Sequence, residues 1–142
     1  MATAAISAYG TLIKRGDSGS PETFTTVPEV RSIDGPSMET DEAEVTTHSS
    51  AASGAFREYI LTLIDAGTLD FEINYVPSDP VHQGIRDDFL NRTKRNWQVV
   101  LPGAIQTISF TAYVRTMPLS FPTDDAITAA ISLRLTGGPT FS

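Results

Sequence analysis

The chain contains no cysteine, so no disulfide staples the fold and no thiolate is available as nucleophile or metal ligand. Stability must come from burial and association. Basic residues are also scarce, with Lys and Arg totalling 10 against 17 Asp and Glu and a net charge of −7. A surface built to grip nucleic acid carries the opposite balance, because phosphate binding runs on Lys and Arg displacing counterions. No apolar run approaches the roughly 20 residues of a membrane-spanning helix. The opening Met1 to Gly10 lacks both the basic lead and the long apolar stretch of a signal peptide. The expectation is a soluble protein made in the cytoplasm, with no membrane binding.

The usual constellations of chemistry are missing as well. His48 sits among Thr46, Thr47, Ser49 and Ser50, but a base beside hydroxyls needs an orienting carboxylate on a rigid scaffold, and this stretch offers neither. His82 has no second ligand at metal-binding spacing, which leaves it a capping or packing role. The carboxylates Glu39, Asp41, Glu42 and Glu44 do not follow the calcium-loop pattern and read as a solvated acidic face. Gly16, Gly19 and Gly137-Gly138 lack the context of a phosphate loop. Nothing points to an enzyme, a metal or a cofactor.

What is present is alternation. Leu69, Phe71, Ile73 and Tyr75 alternate with Thr68, Asp70, Glu72 and Asn74, which predicts a strand with one buried and one wet face. The same period runs through Thr107 to Val114, Ile127 to Leu135 and Asn96 to Leu101, and the turn dipeptide Pro102-Gly103 makes the neighbours at 97–101 and 107–114 an antiparallel pair. Trp97, Phe71 and Phe110 fall on the apolar faces and are assigned to the core. Two shorter runs, Val27 to Ile33 and Ala43 to Thr47, flank Asp34-Gly35-Pro36-Ser37, and the Gly and Pro predict a hairpin there.

Only Asp79 to Lys94 changes period. Asp79 can cap a first turn, Pro80 suits the first helical position, and Val81, Ile85 and Phe89 recur on one face, so a single helix packs against the sheet. The small, polar, aperiodic stretch from Thr46 to Ala55 reads as a mobile loop. Phe56, Tyr59, Ile60, Leu63 and Ile64 are expected to return the chain to the core as a turn-rich or short helical segment. The composite is one mainly β domain over 1–142. It is a β-sandwich or small barrel of about seven to eight strands with a flanking helix near 79–94, and with extended arms at 1–10 and 137–142. The wet strand faces are rich in Thr and Ser, a composition that favours pairing through sheet edges.

Taken in order, several segments resemble the lambda-like tail tube proteins of long-tailed phages. They are Ile33-Asp34-Gly35-Pro36-Ser37-Met38, the run from Val45 to Ser50, Gly54 to Ile60, Ile64 to Tyr75, His82-Gln83 and the ending Leu135 to Phe141. The likeness spans about residues 10–140. It implies the phage tail tube fold and hexameric rings that stack into a hollow, non-contractile tube. Through that tube DNA passes during ejection without being specifically bound. It also implies a place in the virion, with tape-measure, tail terminator and tail-tip proteins as partners besides the chain itself.

The resemblance further implies an inter-ring loop at about 41–56, carrying Asp41, Glu42, Glu44, Thr46, His48, Ser49, Ser50, Ser53, Gly54 and Phe56. Because an acidic wall repels phosphate, Asp34, Glu39, Asp41, Asp70 and Glu72 are candidates for the lumen lining. Two other readings stand beside this one: a tube protein like that of a type VI secretion system, and a receptor-binding β-sandwich at a tail tip.

Overall fold

A computed structural model describes residues 4–47, 54 and 56–142. The elements in chain order are β1 (Leu12–Gly16), β2 (Phe24–Thr26), β3 (Val30–Asp34), β4 (Glu39–Glu44), β5 (Tyr59–Asp65), β6 (Thr68–Asn74), α1 (Pro80–Asn91), β7 (Lys94–Val100), β8 (Thr107–Thr116), β9 (Leu119–Ser120) and β10 (Thr128–Phe141). Eight of the strands form one antiparallel sheet in the order β2-β1-β7-β8-β10-β6-β3, with β9 also on β10. The other two, β4 and β5, pair only with each other among the described residues.

Alternation explains the core. Leu69, Phe71 and Ile73 of β6, Ile131, Leu133 and Leu135 of β10, Phe110, Ala112 and Val114 of β8, and Trp97 and Val99 of β7 are all buried on one side of the sheet. That side closes on itself. In a flat sheet β6 and β7 lie three strand spacings apart, about 14 Å. The rings of Phe71 and Trp97 nevertheless stand 6.1 Å apart between centroids. The sheet is therefore rolled so that its two wings face each other as a sandwich, and Ile85 of α1 plugs the open side.

The helix begins as expected: Asp79 accepts hydrogen bonds from the Val81 and His82 backbone N–H groups, and Pro80 follows. It ends at Asn91 rather than at Lys94. Arg92 turns into the left-handed region, with φ of 55°, and Lys94 is already paired with Tyr113 in the sheet. Of the expected face Val81, Ile85 and Phe89, Ile85 lies in the core and Val81 packs against it. His82, Ile85 and Asp88 are buried, while Phe89 is partly exposed.

The two polar members of that face are fully engaged. The Asp88 carboxylate accepts from Arg15 Nε at 2.7 Å and Nη2 at 3.0 Å, and from Arg95 Nε at 2.6 Å, which bolts α1 to β1 and β7. His82 Nδ1 accepts from the Val76 N–H at 3.0 Å, which leaves Nε2 to donate to the Pro28 carbonyl at 2.9 Å. Packing is thus the role of this histidine.

The expected hairpin at Asp34-Gly35-Pro36-Ser37 does not form. β3 pairs with β6 and β4 pairs with β5, so these residues kink one arm of a long ribbon instead of reversing it. The opposite arm kinks at Ala66-Gly67, where φ of 75° at Gly67 and the Ser37 carbonyl packed against it leave no room for a side chain. The end at 137–142, expected as an extended arm, runs as strand: β10 extends to Phe141, and the Ser142 and Thr107 backbones exchange hydrogen bonds.

Candidate functional site

The ribbon β4–β5 is the feature that the core leaves unexplained. Beyond the kink it leaves the sheet and stands apart from the end of β10 across an open groove of about 490 Å³. The segment Tyr59 to Ile64, expected to return to the core, is instead strand and exposed along its whole length, with Leu61, Leu63 and Ile64 between 72% and 78% accessible. The reason is topological. β5 has β4 as its sole strand partner among the described residues, and neither face of a two-stranded ribbon is covered by its own hydrogen-bonding partner.

The polarity of the ribbon divides by strand. Glu42 lies opposite Leu61 and Glu44 opposite Tyr59, so one face carries acidic residues of β4 beside apolar residues of β5, while Ala43 lies opposite Ile60 on the other. A register shift between Thr40 and Glu42 places a bulge mid-ribbon. Asp41, Glu42 and Glu44, assigned from sequence to a loop, are therefore strand residues. Thr46 accepts from the Glu58 N–H through its hydroxyl and continues the ladder past the strand end. His48, Ser49, Ser50 and Ser53 lie outside the described residues, and Gly54 and Phe56 are exposed near the tip.

At the root, Asp65 accepts from Arg134 Nη2 at 2.8 Å and from the Gly67 N–H at 2.8 Å. The Arg134 hydrogen bond, followed by that of Gly67, holds the Asp65 carboxyl below its ordinary value. A parallel case is Asp17, lowered first by the Thr23 N–H and then by that of Gly19 in the β1–β2 turn.

The structure brings together three of the five lumen candidates. Asp34 and Asp70 are direct cross-strand partners, and Glu72 is two residues along on the same wet face. Like charges placed opposite each other are unfavourable, and Arg31, at 3.4 Å from Glu72 and 3.9 Å from Asp125, offsets only part of this. Glu39 and Asp41 belong to the ribbon and not to this sheet face.

Leu61 was not among the residues singled out from sequence, although the signal was there. Tyr59-Ile60-Leu61-Thr62-Leu63-Ile64 is apolar at nearly every position without alternation, the mark of a strand covered on both faces. Among the described residues no cluster of His, Cys, Asp or Glu is arranged to hold a metal, and no helix is long and apolar enough to cross a membrane.

Residues 9–142 match the sequence profile of the family described as lambda phage tail tube protein, TTP. Among curated proteins none matches in sequence. In structure the chain is similar to one from the tail of an empty gene transfer agent particle determined with C6 symmetry, with a TM-score of 0.79 and 17% identity over 97% of this chain and 99% of that one. It is also similar to the SPP1 tail tube (TM-score 0.73, 12% identity, 96% and 78% covered). A third likeness is to a chain of the sheath-tube complex of an extracellular contractile injection system (TM-score 0.73, 14% identity, 98% and 92% covered). At such identities these three likenesses establish the shared fold.

Proposed function

This chain belongs to the lambda phage tail tube protein family, and from that premise we propose that it is the main subunit of a long non-contractile tail tube. In this reading copies close into hexameric rings, and the rings stack into a hollow conduit for DNA. The observation that carries the proposal is the β4–β5 ribbon, a preformed strand pair whose apolar residues are exposed in the single chain. Contiguous exposed apolar surface of this kind marks an association site. Because the ribbon is already paired, docking it costs less ordering entropy than docking a coil, at roughly 1–2 kcal/mol for each residue that must be fixed.

The segment from Asp41 to Phe56 supplies the ring-to-ring contact in this proposal, and the wet face bearing Asp34, Asp70 and Glu72 lines the channel together with Glu39 and Asp41. A carboxylate lining repels phosphate and so lets DNA slide where a basic one would hold it. Such a subunit works by shape and field and performs no reaction. Its partners are further copies of itself, a tape-measure protein that sets length, and terminator and tip proteins at the two ends.

One second reading has a specific observation behind it. The fold is as similar to chains of an extracellular contractile injection system, at TM-scores of 0.73 and 0.74, as it is to the SPP1 tail tube. An inner tube within a sheath is the corresponding function. The match to a lambda tail tube profile over nearly the whole chain favours the sheathless form.

Negative-stain microscopy of the concentrated protein, alone and with tape-measure and tip proteins, tests the proposal. Long hollow tubes of uniform width are expected. Globular particles under every condition refute it.

A further inference from the structure

We infer that the acidic, apolar ribbon β4–β5 of one copy is received by a specific basic patch, centred on Tyr113 and flanked by Lys94 and Arg115, on a second copy. The inference deepens the proposed self-stacking and rests on it.

Lys94 of β7 lies directly across from Tyr113 of β8, so the two side chains share the wet face, and Arg115 is two residues along the same strand on that face. Tyr113 is 40% accessible, and neither Lys94 nor Arg115 has an ion-pair partner among the described residues. The neighbouring Arg134, also across from Tyr113, is already engaged by Asp65. The patch therefore offers an aromatic surface bracketed by two unneutralised cations. The ribbon offers the complement, because Glu42 and Glu44 share a face with Leu61 and Tyr59. Charge-bracketed apolar contacts of this kind fix register and exclude wrong partners.

Direction makes the partner a second copy. Thr68, Arg134, Tyr113 and Lys94 form one row across β6, β10, β8 and β7. The ribbon leaves that row on the side where β10 continues through Leu135, as the Leu135 N–H bond to the Gly67 carbonyl records. Arg115 lies on the other side of the row. Tyr113 and Lys94 thus lie in the row and Arg115 beyond it, while the ribbon runs the other way, beside Leu135 to Gly138, and carries Glu42 and Glu44 away from the patch of its own copy. Two different, complementary surfaces of this kind make a heterologous contact between copies, which propagates where the rotation does not close a ring.

The test is a charge exchange in the full chain, read as the critical concentration for tube formation by sedimentation and microscopy. Lys94→Glu with Arg115→Glu is expected to raise that concentration about tenfold, roughly 1.4 kcal/mol per contact. Glu42→Lys with Glu44→Lys should do the same, and the quadruple variant should return to within about threefold of wild type. All four positions are exposed, so each variant should melt as wild type does. Either double variant assembling normally, or a quadruple variant no better than the doubles, overturns the patch while leaving the tube function standing. Wild-type protein that never assembles overturns both.

Discussion

Replacing Asp88 with Asn should strip the bolt that holds α1 to the sheet. The carboxylate is 2% exposed and accepts from two guanidinium groups at 2.6–3.0 Å, while the Arg15 and Arg95 side chains are themselves only 16% and 21% exposed. An amide keeps the shape, removes the charge and leaves two desolvated cations facing each other. Breaking a buried pair from one side costs about 3–5 kcal/mol. Unfolding a chain of 142 residues at roughly 2.1 cal/mol/K per residue gives an entropy near 0.3 kcal/mol/K, so the melting temperature should fall by about 10–17 °C. Removing one cation as well should recover part of the loss, so Asp88→Asn combined with Arg95→Met should be less damaging than the two single effects summed. Differential scanning calorimetry of the four proteins measures this. A drop below about 3 °C for Asp88→Asn, or simple additivity in the cycle, would show that the site is not desolvated and that the helix is held by Ile85 and His82 instead.

Gly67→Ala should be costly for a different reason, since the added methyl meets the Ser37 carbonyl and φ is 75°; a loss of more than about 1 kcal/mol in denaturant unfolding is expected. Asp65 has a folded pKa below its ordinary 3.8, so its contribution is present above that value and is lost as pH falls through the depressed one. The protection factor of the Gly67 amide, its exchange corrected for the intrinsic pH dependence, should therefore fall in that acid window, and Arg134→Met should shift the onset upward in pH. Leu61→Thr and Leu63→Thr alter residues that are 72% and 78% accessible, so the melting of the single chain should change by less than about 0.5 kcal/mol while tube yield collapses. Unchanged tube yield would remove the ribbon from the assembly contact.

Much of this was legible in the chain itself. Period-two alternation located β6, β7, β8 and β10 and put Trp97, Phe71 and Phe110 inside, and Asp79-Pro80 marked where the helix begins. The helix end was hidden because Arg92 takes the left-handed cap that a glycine usually announces. The misread turn at Gly35-Pro36 and the misread fate of Tyr59 to Ile64 share one cause. Local chemistry says that the backbone bends, or that a segment is apolar, but not which strand becomes its neighbour.

The sequence by itself therefore determined β6, β7, β8 and β10, their inward faces and the acidic balance, because these follow from short-range periodicity and charge, whereas β1, β2 and β9 carry no such alternation and were not legible in it. Tertiary structure alone decided that β3 pairs with β6 and β4 with β5, that Asp34 meets Asp70 across the sheet, and that Asp88 gathers Arg15 and Arg95 from two distant strands. Apart from Asp88–Arg95, seven positions apart, those contacts join residues well separated along the chain, which short-range periodicity does not pair. Closure of the sheet around one core leaves β5 outside, so an apolar strand that the sequence marks for burial finds no cover among the described residues.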